Sequence, residues 1–446
     1  MARENAWWCC DGSGHLPQQM PTRRQMVNGT IAAALAAWVG QRSALAQVSL
    51  SPDAAEPHAQ RPSRVLVVLF LRGGADGLSL VPPHGEDAYH SLRPTIGLAA
   101  PKDTRASASA RCLDLDGFFG LHPVLAPLLP LFADGKLAIV HAVGSTDDSH
   151  SHFEAMAAME NGLPQAASAS GWLARYLSAA PSPNPSPLRG LAFGAGLPDS
   201  LRGATNAVAL ESLEDFRLSA SATPMESALA ALYAMPNAAH DDPVRRAGRD
   251  TLHVLQVLRR LDPTHYQPER GAAYPKSDLG HGLRQTACLI KARVGLEVAC
   301  LDHRGPFLWD THVAQPTVFP AQAGDLAQAL AAFAQDIGGD GMQEVTVVAM
   351  TEFGRRVQEN SGLGTDHGSG SVLFALGGGI NGGKVYGPWP GLAPHQLAGP
   401  GDLRITTDYR QVLSEVLQGI HGPQFSREAV FAGLPAAKAL GCVLNC

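Results

Sequence analysis

Five runs of apolar residues, at 65–71, 137–143, 296–301, 345–350 and 372–376, are too short for helices and too continuous for half-exposed strands. The first, Val65-Leu66-Val67-Val68-Leu69-Phe70-Leu71, has no polar position, as expected of a strand buried on both faces of a parallel sheet. Apolar residues recur at helical spacing in 152–160, 171–179, 243–261, 279–291, 324–337 and 409–420. This alternation predicts one large α/β domain over residues 63–446, a sandwich around a mostly parallel sheet. Residues 180–245, rich in Pro, Ser and Ala, break the alternation and read as a cap or insertion. No internal repeat is visible.

The first 46 residues have a different character. Thr22-Arg23-Arg24-Gln25-Met26-Val27 is a polar twin-arginine segment, followed by an alanine-rich apolar run at 31–39 and then Ala44-Leu45-Ala46. Small residues at 44 and 46 suit signal peptidase, so cleavage is expected after Ala46, with export by the twin-arginine machinery to the periplasm or beyond. Residues before Met20 fit no leader pattern, which makes Met20 a candidate start. Residues 47–62, rich in Ser, Pro and Ala, read as a flexible lead-in. The leader's apolar run is too short to cross a bilayer, and no later stretch reaches the roughly 18 apolar residues a span needs.

Removing the leader leaves 30 basic residues against 38 acidic ones. That balance gives no support to binding nucleic acid or an anionic membrane. Five cysteines remain, Cys112, Cys288, Cys300, Cys442 and Cys446, with no C-x-x-C, so neither a zinc ribbon nor a thioredoxin-like motif is present. Cys442 and Cys446 are a candidate bridge.

In open parallel sheets ligands gather at the carboxyl ends of strands, and four polar clusters fall at or near such ends. Arg72-Gly73-Gly74-Ala75-Asp76-Gly77 follows the first run. Asp147-Asp148-Ser149-His150-Ser151-His152 follows the second and leads into a helix, where a serine either caps the helix or stands as a nucleophile beside its free N–H groups. Asp310 and His312 share one side of an extended segment. Glu352 and the later Asp366-His367 form the fourth cluster. Together, Asp76, Asp310, His312, Glu352, Asp366 and His367 make a mixed carboxylate and imidazole set suited to zinc, manganese, calcium or magnesium. Arg72 and Arg355 are candidate partners for an anion. Gly377-Gly378-Gly379-Ile380-Asn381-Gly382 matches a dinucleotide fingerprint, but the sequence after it cannot form the required helix. The common hydrolase elbow, zinc-protease and P-loop motifs are missing from the sequence.

Phe70-Leu71-Arg72-Gly73-Gly74-Ala75-Asp76-Gly77-Leu78, Ser151-His152-Phe153-Glu154, Gly171-Trp172-Leu173, Asp310-Thr311-His312 with Gln315, Glu352-Phe353-Gly354-Arg355-Arg356, Gly364-Thr365-Asp366-His367-Gly368 and Thr407-Asp408-Tyr409-Arg410 occur in order. From Arg64 to about His421 the chain resembles the exported bacterial family called domain of unknown function 1501. That family is similar in fold to the alkaline phosphatase and sulfatase superfamily. The resemblance therefore implies a three-layer α/β/α sandwich with a divalent, commonly two-metal, site at the carboxyl edge of its sheet. It implies metal roles for Asp76, Asp310, His312, Glu352, Asp366 and His367. The helix-ending glycine of the sulfatase-type segment, matched to Gly162, puts the nucleophile position at His152, next to Ser151, so Ser151 and His152 are the expected catalytic residues, with Ser151 the first candidate nucleophile and Ser149 the second. No cysteine lies there for conversion to formylglycine, and Glu352-Phe353 replaces the superfamily's Asp-His pair. The expected function is metal-dependent hydrolysis of a phosphate-like or other anionic ester, small-molecule or glycan. The alternative is a non-catalytic exported binding or envelope-assembly protein on the same fold, favoured by the missing imidazole.

Overall fold

The computed structural model describes residues 64–163, 169–179, 186–214, 216, 223–234, 243–305 and 308–444, together with the two-residue strand Val48–Ser49. The leader, with Arg23, Arg24 and the expected cleavage site, lies outside the described residues, as does Cys446.

Seven main strands build the sheet: β1 (Val65–Leu71), β2 (Leu137–Gly144), β3 (Gly190–Phe193), β4 (Ala207–Leu210), β5 (Val298–His303), β6 (Val345–Met350) and β7 (Ser371–Gly377). Their order across the sheet is β4-β3-β5-β1-β6-β7-β2, extended by two-residue strands. β1 lies centrally and pairs in parallel with β5 (Leu69 opposite Leu301) and with β6 (Leu69 opposite Ala349). β7 runs antiparallel to both β6 and β2, which returns β2 to the direction of β1. The result is a mixed α/β fold with a largely parallel sheet.

Every residue of β1 is buried, and its period of two feeds two cores. Val65, Val67, Leu69 and Leu71 join residues of helices α5 (Asp278–Lys291) and α6 (Gln315–Met342). Leu66, Val68 and Phe70 join those of α2 (Trp172–Ala179) and α7 (Tyr409–His421). The remaining larger helices are α1 (His152–Asn161), α3 (Thr223–Ala234) and α4 (Pro243–Leu261). Truncating such a core residue, Leu69→Ala for example, costs about 2–5 kcal/mol.

Three expectations differ from this picture. The stretch 180–245 contributes β3 and β4 to the main sheet, although four-residue strands built largely from Gly, Ala and Leu carry little strand signal. α6 begins nine residues before the expected 324, because Pro316 sits in its first turn, where a proline is tolerated, and Pro320 is accommodated inside. β5 is displaced to 298–303, since Asp302 and His303 continue the ladder beside Phe70 and Leu71. Cys112, Cys288, Cys300 and Cys442 are buried, free thiols. Among the described residues no helix is long and apolar enough to cross a membrane.

A candidate metal centre at the carboxyl edge of the sheet

β1, β2, β5 and β6 end at the same edge, so the segments after them converge there, joined by the loop that enters β7. Close packing of these segments requires glycine at several points, of which two show how the donor-bearing segments meet. Gly73 has φ +119°, and a Cβ there would lie 2.7 Å from the backbone nitrogens of Trp309 and Asp310. A Cβ on Gly364 would lie 2.4 Å from the His312 carbonyl group, which is how closely the Thr365–His367 segment passes the Asp310–His312 segment.

His152, Asp310 and His367 form a group of donors able to hold a metal ion. His152 Nε2 lies 3.4 Å from Asp310 Oδ2, and His367 Nε2 lies 3.3 Å from Asp310 Oδ1. His312 adds a third imidazole, with Nε2 3.0 Å from Asp310 Oδ1 and 2.9 Å from His367 Nε2. Ligands 2.0–2.1 Å from a tetrahedral zinc ion stand about 3.3 Å apart, close to the spacings of His152 and His367 from Asp310, and His312 lies beside this group of three.

The tautomers follow from the outer contacts. His152 Nδ1 donates to Glu352 Oε1 at 2.8 Å, and His367 Nδ1 donates to the His150 carbonyl at 2.7 Å. Both partners only accept, so each Nδ1 carries a proton and each Nε2 faces inward, where it becomes a lone-pair donor once the ring is neutral. His312 Nδ1 is 3.5 Å from Asp366 Oδ1. This is the usual arrangement around metal-binding histidines, whose second nitrogen is tied to a carboxylate or carbonyl. His152 Nε2 is buried with no hydrogen-bond partner, and its 3.4 Å approach to Asp310 is an ion-pair contact only. A lone pair facing a carboxylate is unfavourable unless a proton or a cation lies between them. The Phe353 ring packs against those of His152 and His367, with centroids 4.7 and 4.8 Å away.

Charge fixes the protonation of the set. Burial alone would raise the Asp310 carboxyl, but His152, His367 and the Arg355 guanidinium outweigh it and hold Asp310 well below the usual carboxylate range. Glu352 is likewise held low against its burial, by His152 and backbone N–H groups. The Asp310 and Glu352 carboxylates in turn push His152 up to about 9. The side chains remain 22–41 % exposed at His152, His367, Asp310 and His312, so the group lies at the surface although His152 Nε2 itself is buried.

The other expected residues fall around this group. Glu352 is buried and divides its carboxylate among Gly73 N, His152 Nδ1 and the Thr351 hydroxyl, which makes it an outer support. Asp366 supports His312 and accepts from Asn360 Nδ2 at 3.1 Å. Asp76 lies in a separate buried network: its Oδ2 accepts from Arg93 (2.6 Å), Ser79 (2.7 Å) and Gln315 (2.7 Å), and its Oδ1 caps the short helix Gly77–Leu80. Arg72 is paired with Glu160 and Asp302. Arg355 is fully buried, donating to Asp310 and to the carbonyls of Gly73, Gly74, Trp309 and Thr365. Both candidate anion partners are thus committed to protein groups. Ser149 donates to Glu154, whereas Ser151 occupies the N-cap position of α1 and its hydroxyl makes no capping bond. Sequence reasoning placed His152 among the catalytic residues, and the structure brings it into the donor group. It missed the His150 carbonyl, for which a backbone role leaves no sequence signal.

Residues 63–419 match a family model described as "Protein of unknown function (DUF1501)". No curated protein matches the chain.

Proposed function

The chain belongs to the DUF1501 family, and since that description names no activity we propose one from the site: a divalent-metal hydrolase acting on a phosphate-like or other anionic ester. The observation that carries the reading is the convergence of three imidazole Nε2 atoms on Asp310, with the opposite nitrogens of His152 and His367 tied to outer acceptors. In this reading His152, Asp310 and His367 hold one ion, His312 stands beside them, and Glu352, Asp366 and the His150 carbonyl orient the set. Two imidazoles with one carboxylate favour zinc or manganese over calcium or magnesium, which prefer all-oxygen shells. A second ion beside Asp76 is not part of the proposal, because the Arg93 guanidinium already neutralises that carboxylate. His152, delivered by the start of α1, supplies the imidazole that the sequence lacks at Phe353.

A divalent ion at this position supplies Lewis-acid polarisation of an ester oxygen and acidifies a nearby hydroxyl. Ser151 is the proposed nucleophile: it lies between His150 and His152, its hydroxyl is not used as a cap, and the free N–H groups of α1 follow it. An alkaline-phosphatase-like three-layer sandwich and twin-arginine export belong to the same proposal. They rest on the two-sided core of the sheet and on Arg23-Arg24, respectively.

The second reading, a non-catalytic exported binding protein, is favoured by the commitment of Arg72 and Arg355. Metal quantification on the purified protein, followed by assays with aryl phosphate monoesters, aryl phosphate diesters and aryl sulfates, separates the two. Stoichiometric metal with turnover supports the hydrolase, metal without turnover supports the binding protein, and a protein that takes up no metal refutes the hydrolase and leaves the non-catalytic reading.

A further inference from the structure

We propose that Gln315 is a positioning residue that locks the two donor-bearing loops to each other and to the Asp76 network beneath them, and thereby sets the metal affinity of the centre. The proposal rests on the metal reading above and adds to it a residue that does not touch the ion.

Gln315 is 2 % exposed and uses all four of its hydrogen-bonding positions. Its Nε2 donates to Asp76 Oδ2 at 2.7 Å and to Ser79 Oγ at 2.8 Å. Its Oε1 accepts from the hydroxyls of Thr311 at 2.7 Å and Thr365 at 3.2 Å. Thr311 lies between Asp310 and His312, and Thr365 directly precedes Asp366 and His367. One amide oxygen therefore fixes both loops at the residues beside their donors.

The orientation of the amide is dictated by its surroundings. Arg93 keeps Asp76 ionised and accepting, so only the NH₂ end can face it, and the oxygen must turn toward the two threonines. The backbone reinforces the clamp. Gln315 N donates to Leu363 O (2.8 Å), Ala314 N to Gly362 O (2.9 Å) and Thr365 N to Thr311 O (3.0 Å). Ala314 and Leu363 are both held in the left-handed region, at φ +52° and +58°, a conformation disfavoured for residues with a Cβ. Two such residues facing each other mark a junction that the surrounding bonds over-determine. Thr311, Thr365, Asp76 and Arg93 are all buried, so a lost bond here is not replaced by water.

The test uses Gln315→Met, which keeps the side-chain length and removes every polar contact, and Thr311→Val and Thr365→Val, which remove one arm each. Zinc affinity is measured by competition with a chromophoric chelator, the geometry by the visible spectrum of the cobalt-substituted protein, and loop order by amide hydrogen exchange of the metal-free protein. Gln315→Met is expected to weaken zinc about 10–100-fold, alter the cobalt spectrum and speed exchange in both 309–313 and 361–367. Each valine variant should weaken zinc less, and Thr311→Val should add nothing in the Gln315→Met background. Tyr274→Phe, which removes a bond to Asp336 outside the site, should lower thermal stability and leave zinc affinity unchanged. Unchanged affinity and spectrum in Gln315→Met would overturn the clamp. If wild type takes up neither zinc nor cobalt, the metal reading fails, and hydrogen exchange alone decides the clamp: unchanged exchange in both loops rejects it. Should Gln315→Met not fold, the two valine variants carry the same measurements.

Discussion

Glu352→Gln isolates the outer support of the centre with little change in shape. The glutamine can keep an acceptor facing Gly73 N and His152 Nδ1 and place its NH₂ against the Thr351 hydroxyl, so the fold should survive. Two opposing effects on metal affinity follow. Losing an outer carboxylate weakens binding about 10–100-fold. In the metal-free protein, however, Asp310 and Glu352 raise His152 to about 9, so near pH 7 a proton occupies the ring that a metal needs. Two pH units below that value, the proton lowers apparent affinity about 100-fold. Removing Glu352 moves His152 back toward its ordinary value and relieves this competition. The variant should therefore bind nearly as well as wild type around pH 7 and fall progressively behind as the pH approaches about 9. Stability of the metal-free protein moves the other way. A histidine raised from 6.5 to about 9 contributes at most about 3 kcal/mol, fully present below pH 6.5 and lost as the pH rises through about 9. Glu352→Gln should lower stability on the acid side of that window and narrow the gap on the alkaline side. Chelator competition at several pH values, paired with urea denaturation of metal-free protein, reads both. Affinity curves that run parallel from about pH 7 to pH 9 would refute the reasoning.

Ser151→Ala should cost well under the usual ~1 kcal/mol of a lost cap, since the hydroxyl makes no capping bond. It should retain metal yet lose several orders of magnitude of turnover on whichever aryl ester the wild type cleaves, and full turnover would reject Ser151 as nucleophile. Arg355→Met leaves the carbonyls of Gly73, Gly74 and Thr365 without their donor, while the Trp309 carbonyl keeps Thr311 N and Asp310 keeps its histidines, and at ~1–3 kcal/mol per orphaned group the loss in urea denaturation should be about 3 kcal/mol or more. A variant within ~1 kcal/mol of wild type would show that water replaces the guanidinium. Replacing Arg23 and Arg24 with lysine should hold precursor in the cytoplasm, as read by cell fractionation, and normal secretion of the double variant would reject the twin-arginine route.

The sheet was legible where burial on both faces leaves an unbroken apolar run, as in β1 and β6, whose bounds match the sequence reading. The direction of β7 was not legible, because an apolar run buried on both faces looks the same parallel or antiparallel. β3 and β4 are stabilised by pairing with β5 and each other rather than by strong local preference, so their sequence resembles a loop. At the site, the segments carrying the chemistry were legible as polar clusters after strands. Which residue could hold a metal and which supports it was not, because that depends on approaches of a few ångströms. Asp76 is the clearest case: its partner Arg93 comes from a loop with no motif, and that one ion pair removes Asp76 from the donor group. His152 is the converse, since only the folded position of Glu352 shows that its Nδ1 is tied and its Nε2 free.

The same contacts bear on the substrate. Around the donor group stand four carboxylates, Asp310, Glu352, Asp366 and Asp402, against two guanidiniums, Arg355 and Arg356. Once an ion replaces the proton on His152 and the imidazoles are neutral, these side chains lack two positive charges, which is the charge of one divalent ion. Such a centre attracts a cation strongly when vacant and is close to neutral when loaded. A loaded, near-neutral centre has no long-range pull on a dianion, and Arg72, the basic side chain expected to add it, is spent on Glu160 and Asp302. What remains for the substrate is coordination at the ion and the N–H groups at the start of α1, which suit a single negative charge. In the aryl ester series the singly charged diester and sulfate should therefore turn over faster than the doubly charged phosphate monoester. A monoester preference of more than about tenfold would mean that the centre carries more positive charge than one divalent ion supplies, and so would return a second ion to the site.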